Sequence, residues 1–306
     1  MTPRQTYGLL LVAGLWGCSF VFIRVLVTAG MEPLGVSAAR TTLGTMAILP
    51  IALVLRRQLP RSGRTWLALA VLGLTNFAIP WTLFAFGQQY VPSGVASITN
   101  SAQPLWAAII STILIREQRL GRAKAGGLLL GFFGVIVLMN DGLRNLDGDA
   151  LKGIPVMVFA TLFYGVSSVS IRRWLKDVPT VPLTIGQVGF AALYLGPAAL
   201  ITGAFDDARM GWHEWSSLTV LGTIGSGLSI IVFMWLVQNV GPVRAAMVTY
   251  LMPPIGVFVG WLVLDESIGW NMLLGLAFII AGVAIVQQVP VRRWLGRSPD
   301  VAPAPS

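Results

Sequence analysis

Cysteine and histidine are almost absent from this 306-residue chain, which carries one of each, Cys18 and His213. One cysteine rules out an intramolecular disulfide and leaves the redox compartment unspecified. One histidine, one cysteine and no acid at the middle of an apolar segment give a metal centre too few ligands. No cofactor is expected. Charge is scarce as well: 11% of residues are charged, where soluble domains run at about 25%. No Walker A pattern occurs, so ATP hydrolysis has no seat here. Catalysis by an intramembrane serine also lacks its parts. Ser226 lies in Gly225-Ser226-Gly227 with Ile224 where a GxSG motif places glycine, and His213 lies in a loop. A polytopic membrane enzyme, the rival from another class, therefore has no catalytic constellation.

Apolar sequence fills the chain instead. Hydrophobic residues make up 55% of it, and the mean hydropathy is +0.77. A spanning helix needs about 20 apolar residues to cross roughly 30 Å of hydrocarbon. Ten segments qualify: 6–28, 33–55, 65–87, 92–115, 121–140, 152–174, 180–203, 214–238, 242–264 and 269–289. The expected fold is an all-α membrane protein of ten transmembrane helices. Almost nothing remains for a soluble domain, and Pro299 to Ser306 reads as a short disordered end. Val27-Thr28-Ala29 loosely fits a signal-peptide cleavage site. The preceding apolar run is too long for a signal core, and part of it recurs in mid-chain, so it is kept as helix 1.

The pattern is stated twice. At an offset of 148, Trp16-Gly17-Cys18-Ser19-Phe20 and Arg24 fall on Tyr164-Gly165-Val166-Ser167-Ser168 and Arg172. Further on the offset is 149, pairing Phe84 with Phe233, Gln89 with Gln238, Pro104 with Pro253, Glu117 with Glu266 and Gly126 with Gly275. The division expected is a first repeat over 1–144, a second over 145–291 and a tail over 292–306. Five helices per half is an odd number, so the second half enters the membrane from the opposite side. Such an inverted repeat has two nearly equivalent packings, and exchange between them is alternating access.

Net charge of +9 suggests nucleic acid only until the charges are placed. With loops assigned alternately to two sides, sixteen basic residues collect on the side of the N-terminus and three, Arg144, Lys152 and Arg209, on the other. Nine of the twelve acids lie on that other side. By the positive-inside rule both termini are cytoplasmic. The charge encodes topology, and no nucleic-acid partner is expected.

These features together resemble the drug/metabolite transporter superfamily, in its ten-helix form with duplicated EamA-type domains. Trp16-Gly17-Cys18-Ser19-Phe20, Arg24, Pro33 and Arg40 look like that domain's opening signature. Pro104, Ile115-Arg116-Glu117, Gly126 and Gly134 look like its closing one. Tyr164-Gly165, Pro253, Leu264-Asp265-Glu266, Gly275 and Gly282 repeat it more loosely, with Tyr164 in place of Trp and Arg116 where the family often has Gly. The resemblance implies export of small metabolites, commonly amino acids, or of amphipathic toxic compounds. It also implies a cavity between helices 1–4 and 6–9, with helices 5 and 10 peripheral.

Polar groups near span centres are the candidate substrate ligands, because each costs free energy unless satisfied. Helix 4 carries Thr99, Asn100 and Gln103, helix 3 Asn76, helix 6 Ser168 and helix 7 Gln187; Ser19 and Tyr250 complete the polar set. The plain alternative is that the hydroxyls bond their own helix and the amides a neighbouring one. Trp16 and Tyr164 fall near mid-span at equivalent places, where two rings suit aromatic or apolar substrates, or simply pack helices. Arg40 lies roughly 10 Å along helix 2 from Pro33. An intramembrane cation there meets a substrate carboxylate, or snorkels, or pairs with Glu32 or a carbonyl. Arg24, nearer its helix end, is expected to snorkel. Pro80, Pro104 and Pro253 each remove a backbone donor within a span and serve either as hinges or as static bends. Glu117 and Glu266 precede helices 5 and 10, whose positive N-terminal ends explain them without catalysis.

The expected function is export of neutral or aromatic amino acids and related small metabolites by alternating access across the inner membrane of a prokaryote. No mid-span acid offers a buried proton relay. Multidrug efflux or a lipid-type substrate is the alternative within the transporter class. The partners expected are the small-molecule substrate and the bilayer; the chain reads as a monomer, with a dimer left open.

Overall fold

The computed structural model describes residues 2–54, 59–114, 121–139, 148–240 and 248–286. Among them the chain is helical throughout and holds no strand. Helix α1 spans Pro3–Thr28, α2 Pro33–Val54, α3 Gly63–Leu72, α4 Ile79–Gly87, α5 Ser93–Asn100, α6 Gln103–Leu114 and α7 Arg122–Leu138. In the second half α8 spans Asp149–Trp174, α9 Thr180–Thr202, α10 Trp212–Thr219, α11 Ser229–Val240, α12 Val248–Leu264 and α13 Trp270–Val286. Local chemistry sets several of the ends. Thr2 and Gln5 form a capping box at the start of α1, with Pro3 in its first turn. Gly203 closes α9 at φ 69°, a left-handed conformation that favours glycine.

Among the described residues six stretches are long and apolar enough to cross a membrane: Pro3–Thr28, Pro33–Val54, Gly63–Gly87, Asp149–Ile171, Thr180–Thr202 and Trp212–Leu236. Val248–Leu264 and Trp270–Val286 are shorter apolar helices. The expected single helix over 92–115 is broken. Its backbone turns at Ser101 and Ala102, and Pro104 falls in the first turn of α6, where its missing N–H costs nothing. Pro253, its repeat partner, stays inside the continuous α12.

Two π-helical segments interrupt the third and eighth expected spans. Gly73–Ala78 joins α3 to α4, and Val220–Leu228 joins α10 to α11. They occupy equivalent places at the 149-residue offset. Each presents glycine to a crossing helix. A Cβ on Gly73 would lie 3.2 Å from the Ala191 nitrogen of α9, and one on Gly222 would lie 2.5 Å from Leu43 Cβ of α2. Ala191 and Leu43 are themselves repeat partners, at an offset of 148. Pro80 follows the first π segment directly, in the first turn of α4.

Other contacts obey the same exchange. A Cβ on Gly17 of α1 would meet Ile255 Cγ2 of α12 at 2.8 Å, and one on Gly165 of α8 would meet Trp106 Cβ of α6 at 2.9 Å. On α7 and α13, a Cβ on Gly127 would lie 2.8 Å from the Gly282 carbonyl oxygen and one on Gly134 would lie 2.7 Å from the Gly275 carbonyl oxygen. The two helices therefore run antiparallel, and their backbones approach closely because small residues lie at the seam. This pair stands to one side of the helices that meet at the centre. Trp212, Trp215, Trp235, Trp261 and Trp270 are exposed on the outer surface, near helix ends as an aromatic belt requires.

At the end of the bundle opposite the N-terminus, polar groups tie the helices together. Arg24 does not snorkel: its Nη1 donates to the Gln88 carbonyl. The Gln88 side chain is fully buried and donates from Nε2 to the Phe20 carbonyl at 2.6 Å. Glu266 also departs from expectation. Instead of the following helix, it caps α5 in the other half, accepting from Ser93 N at 2.7 Å, Ser93 Oγ at 2.8 Å and Gly94 N at 3.1 Å. Glu117 and the side chain of Arg172 lie outside the described residues, as do the basic loop residues Arg56, Arg57, Arg116, Arg119, Arg144 and Arg244.

Candidate functional site

At the centre of the bundle α1, α2, α4, α5, α6, α8, α11, α12 and both π segments enclose a cavity of about 230 Å3. Its walls are mainly apolar, and seven of the lining residues are aromatic. Trp16 packs against Phe233 with ring centroids 4.9 Å apart. Phe84 stacks on Tyr164 at 6.2 Å, and Phe77 meets Trp81 edge-on at 4.9 Å. Such tilted and offset pairs are the favoured aromatic geometries. They fix the shape of the space between them.

Polar groups are few and belong to both halves. The Trp16 indole donates to Ser229 Oγ at 2.8 Å, and Ser229 Oγ donates to the Gly225 carbonyl at 2.7 Å. Asn76 in the first π segment donates to Gln187 Oε1 of α9 at 3.0 Å, while Gln187 Nε2 donates to the Leu183 carbonyl at 3.0 Å. Arg40 from α2 is 6% exposed. Its Nε donates to Ser226 Oγ of the second π segment at 3.0 Å, and its guanidinium carbon lies 3.5 Å from the centroid of the Trp81 ring. Ser226 in turn donates to the Leu221 carbonyl five residues back, a reach that the π turn permits. The side chains of Asn100 and Gln103 line the cavity and make no hydrogen bond to protein among the described residues. No acid lines the cavity among them either.

A concave, mostly apolar space with a few convergent polar groups is the general form of a small-molecule site. Among the described residues none pairs a nucleophile with a base at its wall. Comparisons with known proteins assign the class. The EamA-like transporter family matches twice, over residues 6–140 and 151–287. The chain belongs to the EamA-like transporter family. Relatives of this transporter include an uncharacterized transporter, YoaV, of Bacillus subtilis, 24% identical over 276 residues, covering 90% of this chain and 94% of the relative. Protein PecM of Dickeya dadantii is 26% identical over 247 residues, covering 78% and 79%. An uncharacterized inner membrane transporter of Escherichia coli, YedA, is 26% identical over 273 residues, covering 89% and 87%. One protein crystal structure superposes with a TM-score of 0.64 at 18% identity, covering 94% of this chain and 99% of its own. That likeness concerns the fold alone.

In this EamA-type transporter the cavity gathers Trp16, Ser19, Arg40, Asn76, Asn100, Gln103, Tyr164 and Ser168. Three other candidates lie elsewhere. Thr99 is fully buried and donates to the Val95 carbonyl of its own helix at 2.8 Å. Gln187 stands behind Asn76 and orients it. Tyr250 packs beside the core, and its hydroxyl is buried without a hydrogen-bond partner. The plain reading holds for the hydroxyls of Ser19 and Ser168, which bond the Leu15 and Tyr164 carbonyls. Trp106, also near mid-span, faces Phe132 at 5.0 Å and does not line the cavity. Sequence reasoning missed Trp81, Phe84, Phe233, Ser226 and Thr249 as cavity or near-cavity residues. The pairing of Phe84 with Phe233 across the repeat carried the signal for two of them.

Proposed function

We propose that this transporter exports amino acids and related small metabolites by alternating access, without ATP. One observation carries the reading: a central cavity built jointly by both halves, with aromatic rings in its walls and two amides, Asn100 and Gln103, without a protein partner among the described residues. Its volume of about 230 Å3 falls below the roughly 300–1,000 Å3 of drug-sized sites, which favours a metabolite over a bulky drug or lipid. Neutral donors and acceptors at Asn100 and Gln103 suit an amino acid. The rings of Trp16 and Phe233 suit an aromatic or large apolar side chain.

The full arrangement belongs to the same proposal: ten spans in two inverted five-helix repeats, with both termini in the cytoplasm, in the inner membrane. The exchanged contacts of Gly17 with Ile255 and Gly165 with Trp106 support a two-fold relation between the halves. The antiparallel α7–α13 seam supports its inversion. Burial differs between repeat partners at the cavity: Phe20 is 6% exposed and Ile23 2% exposed, while Ser168 is exposed and Ile171 half-buried. With Glu266 and Arg24 closing the far end, the cavity then opens towards the N-terminal, cytoplasmic side. In alternating access, the second packing would open the Glu266 end and close the other.

Uptake of radiolabelled amino acids by purified protein in liposomes, with no ion gradient, tests the reading. Saturable uptake competed by aromatic or large neutral amino acids is the expected result. No uptake, even under an imposed proton gradient, would overturn it and direct attention to drug or lipid substrates.

A further inference from the structure

We infer that the cavity recognises its cargo by a carboxylate that docks on the guanidinium of Arg40. The inference rests on the central cavity being the transport site and names the chemical handle that this site reads. Three faces of the Arg40 side chain define the opportunity. The flat face is occupied by the Trp81 ring, 3.5 Å away. The Nε edge is occupied by Ser226 Oγ at 3.0 Å. The Nη groups donate to no protein acceptor among the described residues, although Arg40 is 6% exposed and lines the cavity.

No countercharge attends it among the described residues. The one ion pair among the described residues, Lys152 with Asp149, is exposed at the surface and lies on α8. A buried cation without a partner is costly, and neither a hydroxyl nor a ring face replaces an anion. A guanidinium held by its face and its Nε presents a planar pair of donors, the geometry that takes a carboxylate in bidentate fashion. Tyr164 lines the same cavity and brings a phenol to it.

The position breaks the symmetry of the cavity. The repeat partner of Arg40 is Val188 at an offset of 148 or Gly189 at 149, neither of them charged. One position of the lining is therefore cationic, while Trp16 and Phe233 line the same cavity with aromatic rings. Cargo bearing a carboxylate at one end and an apolar body at the other fits this polarity. An amine or an amide of the same body does not.

The test uses four ligands sharing one phenyl body: phenylalanine and 3-phenylpropionate, which carry the carboxylate, and phenylalaninamide and phenethylamine, which do not. Binding to the purified wild-type protein is read by thermal stabilisation, and competition by inhibition of labelled phenylalanine uptake into liposomes. The two carboxylates should bind at least about tenfold more tightly than the amide and the amine. Arg40→Gln should abolish that ratio, and Arg40→Lys should retain part of it by charge alone. Equal binding of all four, or an unchanged ratio in a folded R40Q, would overturn the inference while leaving the transport reading intact. If none of the four binds and none is carried, the reading of the cavity fails, and this inference with it. The wild-type comparison needs no substitution, so a folding defect in R40Q does not weaken it.

Discussion

Glu266 and Ser93 join the two halves of the chain: the carboxylate accepts the Ser93 backbone N–H at 2.7 Å and its hydroxyl at 2.8 Å. An acid at the N-terminus of a helix offsets the positive end of the macrodipole and satisfies orphan N–H groups. Here the acid comes from the connection after α12 and the helix is α5, so the cap is also a clasp across one end of the bundle. Glu266→Gln should cost about 1–2 kcal/mol of stability. In the alternating-access proposal it should also favour the packing that opens this end. Thermal unfolding and labelling of a cysteine placed at Ser93 read the two effects. A variant as stable as wild type would show the clasp to be idle.

The seam between α7 and α13 predicts a contrast between two glycines on one helix. A Cβ at Gly134 would meet the Gly275 carbonyl at 2.7 Å, whereas one at Gly126 meets nothing within 4 Å. Gly134→Ala should therefore destabilise by about 1–3 kcal/mol through overpacking. Gly126→Ala should be neutral or gain up to about 1 kcal/mol of helix propensity. Both are measured by unfolding in detergent.

Asn100 and Gln187 should part in the same way, stability against flux. The Asn100 amide lines the cavity with no protein hydrogen bond among the described residues, so Asn100→Ala should leave stability within about 1 kcal/mol. Its flux should fall about tenfold. Gln187→Leu removes the acceptor of Asn76 and should cost about 1 kcal/mol in stability. Wild-type flux in a well-inserted Asn100→Ala protein would remove that residue from the site.

Two mid-span tryptophans should behave differently. Trp16→Phe removes a cavity wall group and the donor to Ser229, so substrate affinity should drop. Trp106→Phe keeps a ring against Phe132 and removes an indole N–H that is buried without a partner. It should leave affinity unchanged and stability equal or improved. Concentration dependence of uptake separates the cases.

Much of the fold was written in hydropathy. Long apolar runs located the helices, and the repeat of Trp16–Arg24 in Tyr164–Arg172 announced two related halves. The π segments were not legible, because one extra residue per turn barely alters an apolar run; Gly73, Pro80 and the Gly225–Gly227 cluster mark them only in retrospect. The same holds for Glu266. Reasoning along the chain gave it to the next helix, while packing gave it to α5, some 170 residues earlier. In the cavity, polar residues such as Arg40, Asn76 and Asn100 announced themselves by their cost in an apolar setting. Trp81 and Phe233 did not, since an aromatic ring in an apolar segment looks the same whether it lines a cavity or fills a core.

The most direct test of the account is substrate protection at Ser168. In a Cys18→Ser background, Ser168→Cys places one thiol at the exposed rim of the cavity. The account predicts that a membrane-impermeant maleimide labels it from the cytoplasmic face, and that phenylalanine slows labelling with the same concentration dependence as transport. Labelling from the opposite face only, or labelling that no transported compound slows, would contradict it.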